Sequence, residues 1–390
     1  MTLILNAGFI PLVDAAPLII ARELGFAEEE GLTLNLRKAP SWSTLRDLLA
    51  LGQIDAAHML APVPIAMALG LGGMTTRLDV LSVLSVNGAV IGVSKALAAK
   101  LRDNGHVFDF ADANAAGRAL ITVGTKLRIG VPFPYSMHAE LLHYWLASLG
   151  LPDPQALDIR TVPPPLMANA IAENEIDAFC VGEPWGSIAV ENNVGELLLP
   201  GAAIWNFAPD KVLAVRHDWT EAEPDLTGRL LRAVWRAGRW LANDSARTTA
   251  AEILARPEYI AVPPEVIDRA LTGRMVISAR GEERETVSFL EFHSGAATFP
   301  WKSQAVWIGS RLAARRGLPL DNAVETARSL FRTDLYRQHL TGIAADIPGA
   351  SEKLEGSLNT ETAVASSSGK LFLRRDRFFD GVVFDPSAPA

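Results

Sequence analysis

Residues 3–60 read LILNAGFIPLVDAAPLIIARELGFAEEEGLTLNLRKAPSWSTLRDLLALGQIDAAHML, and their spacing sets the fold class. Leu3 to Phe9 is a short apolar run ending in Gly8-Phe9, which reads as a buried strand. Asp14 is placed to cap the helix that follows, with Pro17 tolerated in its first turn and Gly25 closing it. Leu32, Leu34 and Leu36 then alternate with polar residues, a strand pattern. Ser43 caps a helix carrying Leu45, Leu48 and Leu49, and Ile54 to Met59 returns as a strand. This β-α-β-α-β order implies a parallel sheet with helices on both faces, an α/β doubly wound unit.

The same grammar resumes near Arg128. Leu127 to Val131 is a strand, Ser136 to Leu149 a helix closed by Gly150, and Leu157 to Val162 a strand. A short helix over Leu166 to Glu173 and a strand over Ile176 to Val181 complete a second unit. Val80 to Val93, rich in β-branched residues, is placed to cross between the two units, and Lys211 to Val215 to cross back. From Glu221 the pattern is helical, as in Leu230, Leu231, Val234 and Trp235. We therefore expect a first lobe over 1–88, a second lobe over 89–210, and a return to the first lobe with extra C-terminal helices over 211–345. Residues 346–390 would be a linker and C-terminal strap. The linker is expected to be loose, because Asp346 to Lys370 is rich in Ser, Thr, Gly and Glu. Leu371 to Phe379, apolar and basic, reads as a strap docked on the body, with a partner-binding tail as the alternative.

Composition narrows the function. Thirty-six basic against 44 acidic residues give a net charge of -8 over 390 residues, which argues against a large nucleic-acid surface. Any anion bound by this chain must be held by local donors. The single cysteine, Cys180, excludes an intrachain disulfide and a cysteine metal cage. No G-x-S-x-G, Walker loop, H-E-x-x-H or dinucleotide fingerprint is present, so no enzyme activity, cofactor or metal is expected. The long uncharged stretch Ala56 to Thr76 is interrupted by Pro62, Pro64, Gly70, Gly72 and Gly73, and makes a poor membrane span. Met1 is present and the first basic residue is Arg22, so the start lacks the layout of a secretory signal. We expect a soluble, cytoplasmic protein.

In open α/β sheets, ligands sit beyond the carboxyl ends of strands, where helix N-termini favour anions. His138 follows such a strand and shares a helix face with Leu141, Leu142, Trp145 and Leu149. A histidine on an apolar stripe reads first as a core residue, but at a helix start its N–H and the helix amides can meet one anion. Trp42, between Ser41 and Ser43, occupies the corresponding loop of the first unit, as packing residue or as apolar pocket wall. Asn87-Gly88 interrupts a β-branched run, either as a bend or as a close approach to ligand. Glu183, in Gly182-Glu183-Pro184-Trp185, reads as structural, and Lys211 beside Asp210 reads as an edge charge. Cys180 lies in an apolar strand, as a buried thiol.

An ordered set of motifs adds to this reading. It comprises Gly8 to Leu18, Ser41-Trp42-Ser43-Thr44, His58, Asn87-Gly88, His138, Val162-Pro163-Pro164-Pro165, Asp177 to Trp185, Pro209-Asp210-Lys211 and Phe299-Pro300-Trp301. Together these resemble the nitrate- and bicarbonate-binding receptors of ABC transporters over roughly the first 340 residues. The resemblance implies a two-lobed, C-shaped periplasmic-binding-protein fold of type II. It also implies an oxyanion pocket lined by Trp42, His138 and Lys211 with an Asn87-Gly88 loop. One departure is Ala89, where nitrate receptors often carry Gln after the Asn-Gly pair.

With no export signal apparent, the chain looks most like the cytoplasmic nitrate- and nitrite-sensing branch (NasS). That branch holds an RNA-binding antiterminator, NasT, and releases it on nitrate or nitrite binding. The alternative is an exported nitrate- or bicarbonate-binding transport component. A third reading is an enzyme, since a pyrimidine synthase of thiamine biosynthesis shares the superfamily; its cysteine-rich motif is absent here. Lys211→Ala is expected to weaken anion binding and to leave the fold intact.

Overall fold

The computed structural model describes residues 3–123, 127–151, 157–343 and 345–389. In chain order the main strands are β1 (Leu3–Phe9), β2 (Leu32–Lys38), β3 (Ala56–Leu60), β4 (Leu78–Asn87), β5 (Ala89–Ser94), β6 (Arg128–Val131), β7 (Asp158–Thr161), β8 (Ala178–Gly182), β9 (Gly195–Pro200) and β10 (Pro209–Arg216). Three short ones follow, β11 (Arg274–Val276), β12 (Glu283–Glu285) and β13 (Leu290–Glu291). They form two large sheets, ordered β13-β4-β10-β3-β1-β2 and β7-β6-β8-β5-β9. These are the sheets of a two-lobed periplasmic-binding-protein fold.

Both sheets are mixed, which corrects the expectation of parallel ones. In the first, β1 runs parallel to β2 and β3, and β10 lies antiparallel between β3 and β4. In the second, β6 runs parallel to β7 and β8, and β5 lies antiparallel between β8 and β9. The antiparallel strand in each sheet is the one that has just arrived from the other lobe. A strand entering from the cleft must run away from it, against strands whose carboxyl ends point toward it. Alternation reports which face of a strand is buried and carries no information on its direction.

The chain leaves the first sheet at Asn87 and joins the second at Ala89. The turn needs positive φ at both Asn87 (62°) and Gly88 (91°). A Cβ at position 88 would also lie 2.8 Å from Leu290 Cδ1, so only glycine fits without displacing that side chain. Every residue of β4 is buried, because β10, β13 and helices enclose it.

The C-terminal half packs mainly on the first lobe: helix Pro224–Leu241 lies on Ala16–Glu23, and Lys302–Arg316 on Pro62–Ala68 and Leu320–Leu330. One part does not. The β11–β12 hairpin, expected with the first lobe, reaches the outer strand of the second sheet, where Leu197 N donates to Ile277 O (2.8 Å). Arg102 bonds Glu282 there at 2.9 Å.

Residues 346–370, expected to be loose, are tied down by their own polar groups. Asp346 accepts from the amides of Ser368 (2.8 Å) and Lys370 (2.9 Å), and Ile347 N donates to Ser367 Oγ (2.9 Å). Lys353 is held between the buried carboxylates of Glu355 and Asp376. The strap beyond is docked: Phe378 packs on Trp205, Trp307 and Tyr144, with ring centroids 4.7, 6.0 and 5.2 Å away.

Candidate functional site

The carboxyl ends of the parallel strands in both sheets face one point, and the sequence places its polar side chains there. Asp14 sits in the 3-10 turn Val13–Ala15 after β1. Trp42 opens helix Trp42–Ala50 after β2, with Ser41 Oγ accepting from Thr44 N (3.2 Å) as its cap. His58 lies on β3. Lys211, near the start of the incoming β10, pairs with Leu60 at the cleft end of β3. From the second lobe, His138 lies in the first turn of helix Met137–Ser148, capped by Ser136 Oγ. Gly182 ends β8. The lobes meet here: Val13 N donates to Glu183 O (2.9 Å), and Trp185 Nε1 to Pro11 O (2.7 Å).

The charged groups form a buried chain. Lys211 Nζ lies 2.8 Å from Asp14 Oδ2 and 2.5 Å from Asp210 Oδ2. His58 Nε2 is 2.8 Å from Asp14 Oδ1, and His138 Nδ1 is 3.9 Å from Asp210 Oδ1. The Trp42 ring lies 5.4 Å from the His58 ring and 5.8 Å from Lys211 Nζ. All six residues are at most 3% exposed. A Cβ at Gly182 would come within 3.3 Å of Asp14 Oδ2 and 3.9 Å of His138 Nε2, so the glycine lets the end of β8 approach these groups closely.

Burial dominates the electrostatics. It opposes the charge of Lys211, but Asp14 and Asp210 outweigh it and hold the ammonium above its ordinary pKa. Burial likewise works against the Asp14 carboxylate, yet Lys211 and His58 keep its pKa well below the usual range. His58 is lowered by burial, with Asp14 opposing. His138 is pushed down to about 4, chiefly by burial, so it is neutral near pH 7. Burial pushes Glu183 up to about 7, offset in part by the Ser187 N–H it accepts (3.2 Å). Burial also raises the Cys180 thiol, leaving it a poor nucleophile.

Several polar nitrogens in this cluster have no protein partner. Both ring nitrogens of His138, Nδ1 of His58 and Nε1 of Trp42 are buried and unbonded. Unpaired buried polar groups cost about 1–3 kcal/mol each, so four such atoms in one buried cluster call for a polar ligand. Helices Trp42–Ala50 and Met137–Ser148 both bring their N-terminal ends here, adding partial positive charge. Among the described residues, no group of three or more His, Cys, Asp or Glu side chains is arranged to hold a metal ion.

Of the five candidates from sequence, Trp42, His138 and Lys211 come together. Asn87 and Gly88 are committed elsewhere. Asn87 Nδ2 donates to Asn206 O (2.7 Å) and Ser288 O (3.1 Å), and its Oδ1 accepts from Ala208 N (3.2 Å). The Gly88 amide donates to Phe289 O (2.8 Å). This pair stitches the two crossings together and has no free donor on those groups for an anion. Sequence reasoning did not assign Asp14, His58 and Asp210 to the site. Asp14, read as a helix cap, makes no capping bond. The available signal was a His inside the otherwise apolar β3, an acid, Asp14, between Val13 and Ala15, and the adjacent Asp210-Lys211 pair at the start of an apolar run.

Comparison with known proteins agrees with this fold. A profile of the NMT1-like family matches residues 4–255. The nitrate/nitrite binding protein NrtA of Nostoc is 31% identical over 98% of this chain and 83% of its own. The nitrate import ATP-binding protein NrtC of Synechocystis is 32% identical over 99% of this chain, which spans about half (54%) of that protein's length. The crystal structure of the periplasmic nitrate-binding protein NrtA from Synechocystis superposes with a TM-score of 0.83, at 29% identity, over 98% of this chain and 96% of that one. On the profile match and the full-length likeness together, this chain belongs to the NMT1-like family.

Proposed function

We propose that the protein binds a small oxyanion, nitrate or nitrite, between its lobes as the receptor component of an anion import system. The observation that carries this is the convergence of the Lys211 ammonium, the unpartnered His138 and Trp42 nitrogens and two helix N-termini at one buried point. Trp42 forms the apolar wall. Similarity to proteins named for nitrate binding and nitrate import supports the same ligand class and the transport role.

The sensor reading uses the same pocket and differs in what responds to the closed form: an antiterminator, NasT, in the cytoplasm. Similarity to import components ranks it second. A stable complex with NasT that dissolves on adding nitrate would reverse that order.

Calorimetric titration of the anion-free protein with nitrate, nitrite, bicarbonate and chloride tests the ligand class. Saturable micromolar binding of nitrate or nitrite is the expected result. Saturation by bicarbonate with both nitrogen oxyanions silent would transfer the site to carbonate chemistry.

A further inference from the structure

We propose that the site takes up one proton with each monovalent anion, and that His138 carries it. The inference rests on the anion-binding reading above and adds a second, obligatory ligand to it.

The geometry begins with two buried atoms facing each other. His138 Nδ1 and Asp210 Oδ1 are 3.9 Å apart, too far for a hydrogen bond, and neither has another partner. Asp210 is anchored through its other oxygen, which holds Lys211. The other ring nitrogen, Nε2, is also unpartnered and lies on the Gly182 side, where a Cβ on that glycine would come within 3.9 Å of it and 3.3 Å of Asp14 Oδ2.

A neutral imidazole has one N–H and one lone pair. If Nδ1 carries the hydrogen, Nε2 presents a lone pair to the arriving anion. If Nε2 carries it, the Nδ1 lone pair faces the Asp210 carboxylate. Either tautomer sets one lone pair against a negative charge. Only the imidazolium donates in both directions, to Asp210 on one side and the anion on the other.

Charge leads to the same conclusion. Asp14 and Asp210 against Lys211 leave this buried cluster with one excess negative charge while the histidines are neutral. A monoanion alone would make two, in a site that water does not reach; a monoanion with a proton leaves one. The charged groups that act on His138 are Asp210 and Lys211 on β10 and Asp14 after β1. His58 lies behind Asp14, and Glu140, on the same helix, turns away to Arg315. Of the nitrogens in this cluster that lack a partner, His138 alone has two in one ring. In the anion-free protein, burial leaves His138 protonated only near pH 4, so in neutral solution the proton must arrive with the anion.

The test is calorimetry on the full chain with nitrate, which does not itself titrate between pH 5.5 and 8, in buffers of different ionisation enthalpy. The expected result is uptake of close to one proton per nitrate at neutral pH. Affinity should weaken about tenfold for each unit rise in pH across this range. His138→Gln should bind more weakly at pH 6, take up no proton and show a flat pH profile. Wild-type binding with no buffer dependence and a flat profile would overturn the proposal. So would a His138→Gln protein that keeps the slope, since the proton would then reside elsewhere, as on Glu183. If nitrate and nitrite give no heat at any of these pH values, the anion reading falls and takes the proton with it.

Discussion

Lys211 has two carboxylate neighbours, and they change what its removal does. Sequence alone suggests that Lys211→Ala spares the fold. With Asp14 and Asp210 both buried against the ammonium, the substitution strands two negative charges away from water. Stranding one buried partner of an ion pair costs about 3–5 kcal/mol. Lys211→Ala should therefore lower the unfolding midpoint sharply, and adding Asp14→Asn should restore part of the loss. Wild-type denaturant stability in the single variant would mean that the cluster does not carry the charges drawn here. Trp42→Phe isolates a different effect, because it deletes an indole N–H that has no protein partner. If that N–H is spent on the anion, nitrate affinity should fall at least about tenfold, since one hydrogen bond to a charged group is worth about 1.5–3 kcal/mol. Equal affinity in a titration would place the Trp42 N–H outside the anion's shell. These partners lie far apart in sequence. Asp14 and His58 are 44 residues apart, and a cap and a buried ion-pair member look alike until the fold joins them. Trp42 and His138 could be singled out because each follows a strand end, where the fold class itself puts ligands. Lys211 read as an edge charge, and only the family resemblance placed it in the pocket.

Elements were legible where burial writes a period into the chain. β1, β2, β3 and the crossing at Gly88 are apolar or β-branched, and their spacing announces them. The β11–β12 hairpin was missed because its strands, Arg274–Val276 and Glu283–Glu285, are short and charged. What fixes them is an edge hydrogen bond and arginine pairs to residues more than 80 positions away. The linker posed the converse problem, since its polar composition reads as loose and hides the hydrogen bonds that tie it down. The strap after it, apolar and basic, read as docked. Phe378 is buried among Trp205, Trp307 and Tyr144, and Tyr144 OH donates to Asp380 at 2.8 Å. Trp205 lies in the return crossing and Tyr144 on the helix that carries His138, so this one segment touches both the hinge and that helix. Phe378→Ala should cost about 3–5 kcal/mol as a large core truncation. Amide exchange measured by mass spectrometry should then speed up over residues 371–384 more than in β4. Uniform loss of protection along the chain would mean that the strap melts only with the whole molecule.

At the scale of the molecule, the question is what holds the lobes together before an anion arrives. Helix Met137–Ser148 answers for the second lobe: two residues past His138, Glu140 pairs with Arg315 of helix Lys302–Arg316, which packs on the first. Arg315 Nε donates to Glu140 Oε2 at 3.1 Å, and the carboxylate is 1% exposed. Burial raises the Glu140 pKa, with Arg315 opposing it, so the pair gives up solvation to form. Separating the lobes breaks this contact and exposes both charges. Replacing both partners with leucine (Glu140→Leu with Arg315→Leu) removes the pair without leaving either charge buried. If the pair biases the free protein toward closure, its loss lowers the closed fraction, and anion affinity falls in the same proportion. A contribution of about 1.4 kcal/mol would weaken nitrate binding by up to about tenfold, the full factor only where the free protein is largely open and less the more of it is already closed. The double variant should therefore show a larger radius of gyration in X-ray scattering without nitrate, contracting to the wild-type value when nitrate saturates it. An unchanged radius and affinity would mean that the aromatic strap and the stitched crossings set the closed geometry, and that the ion pair only follows it.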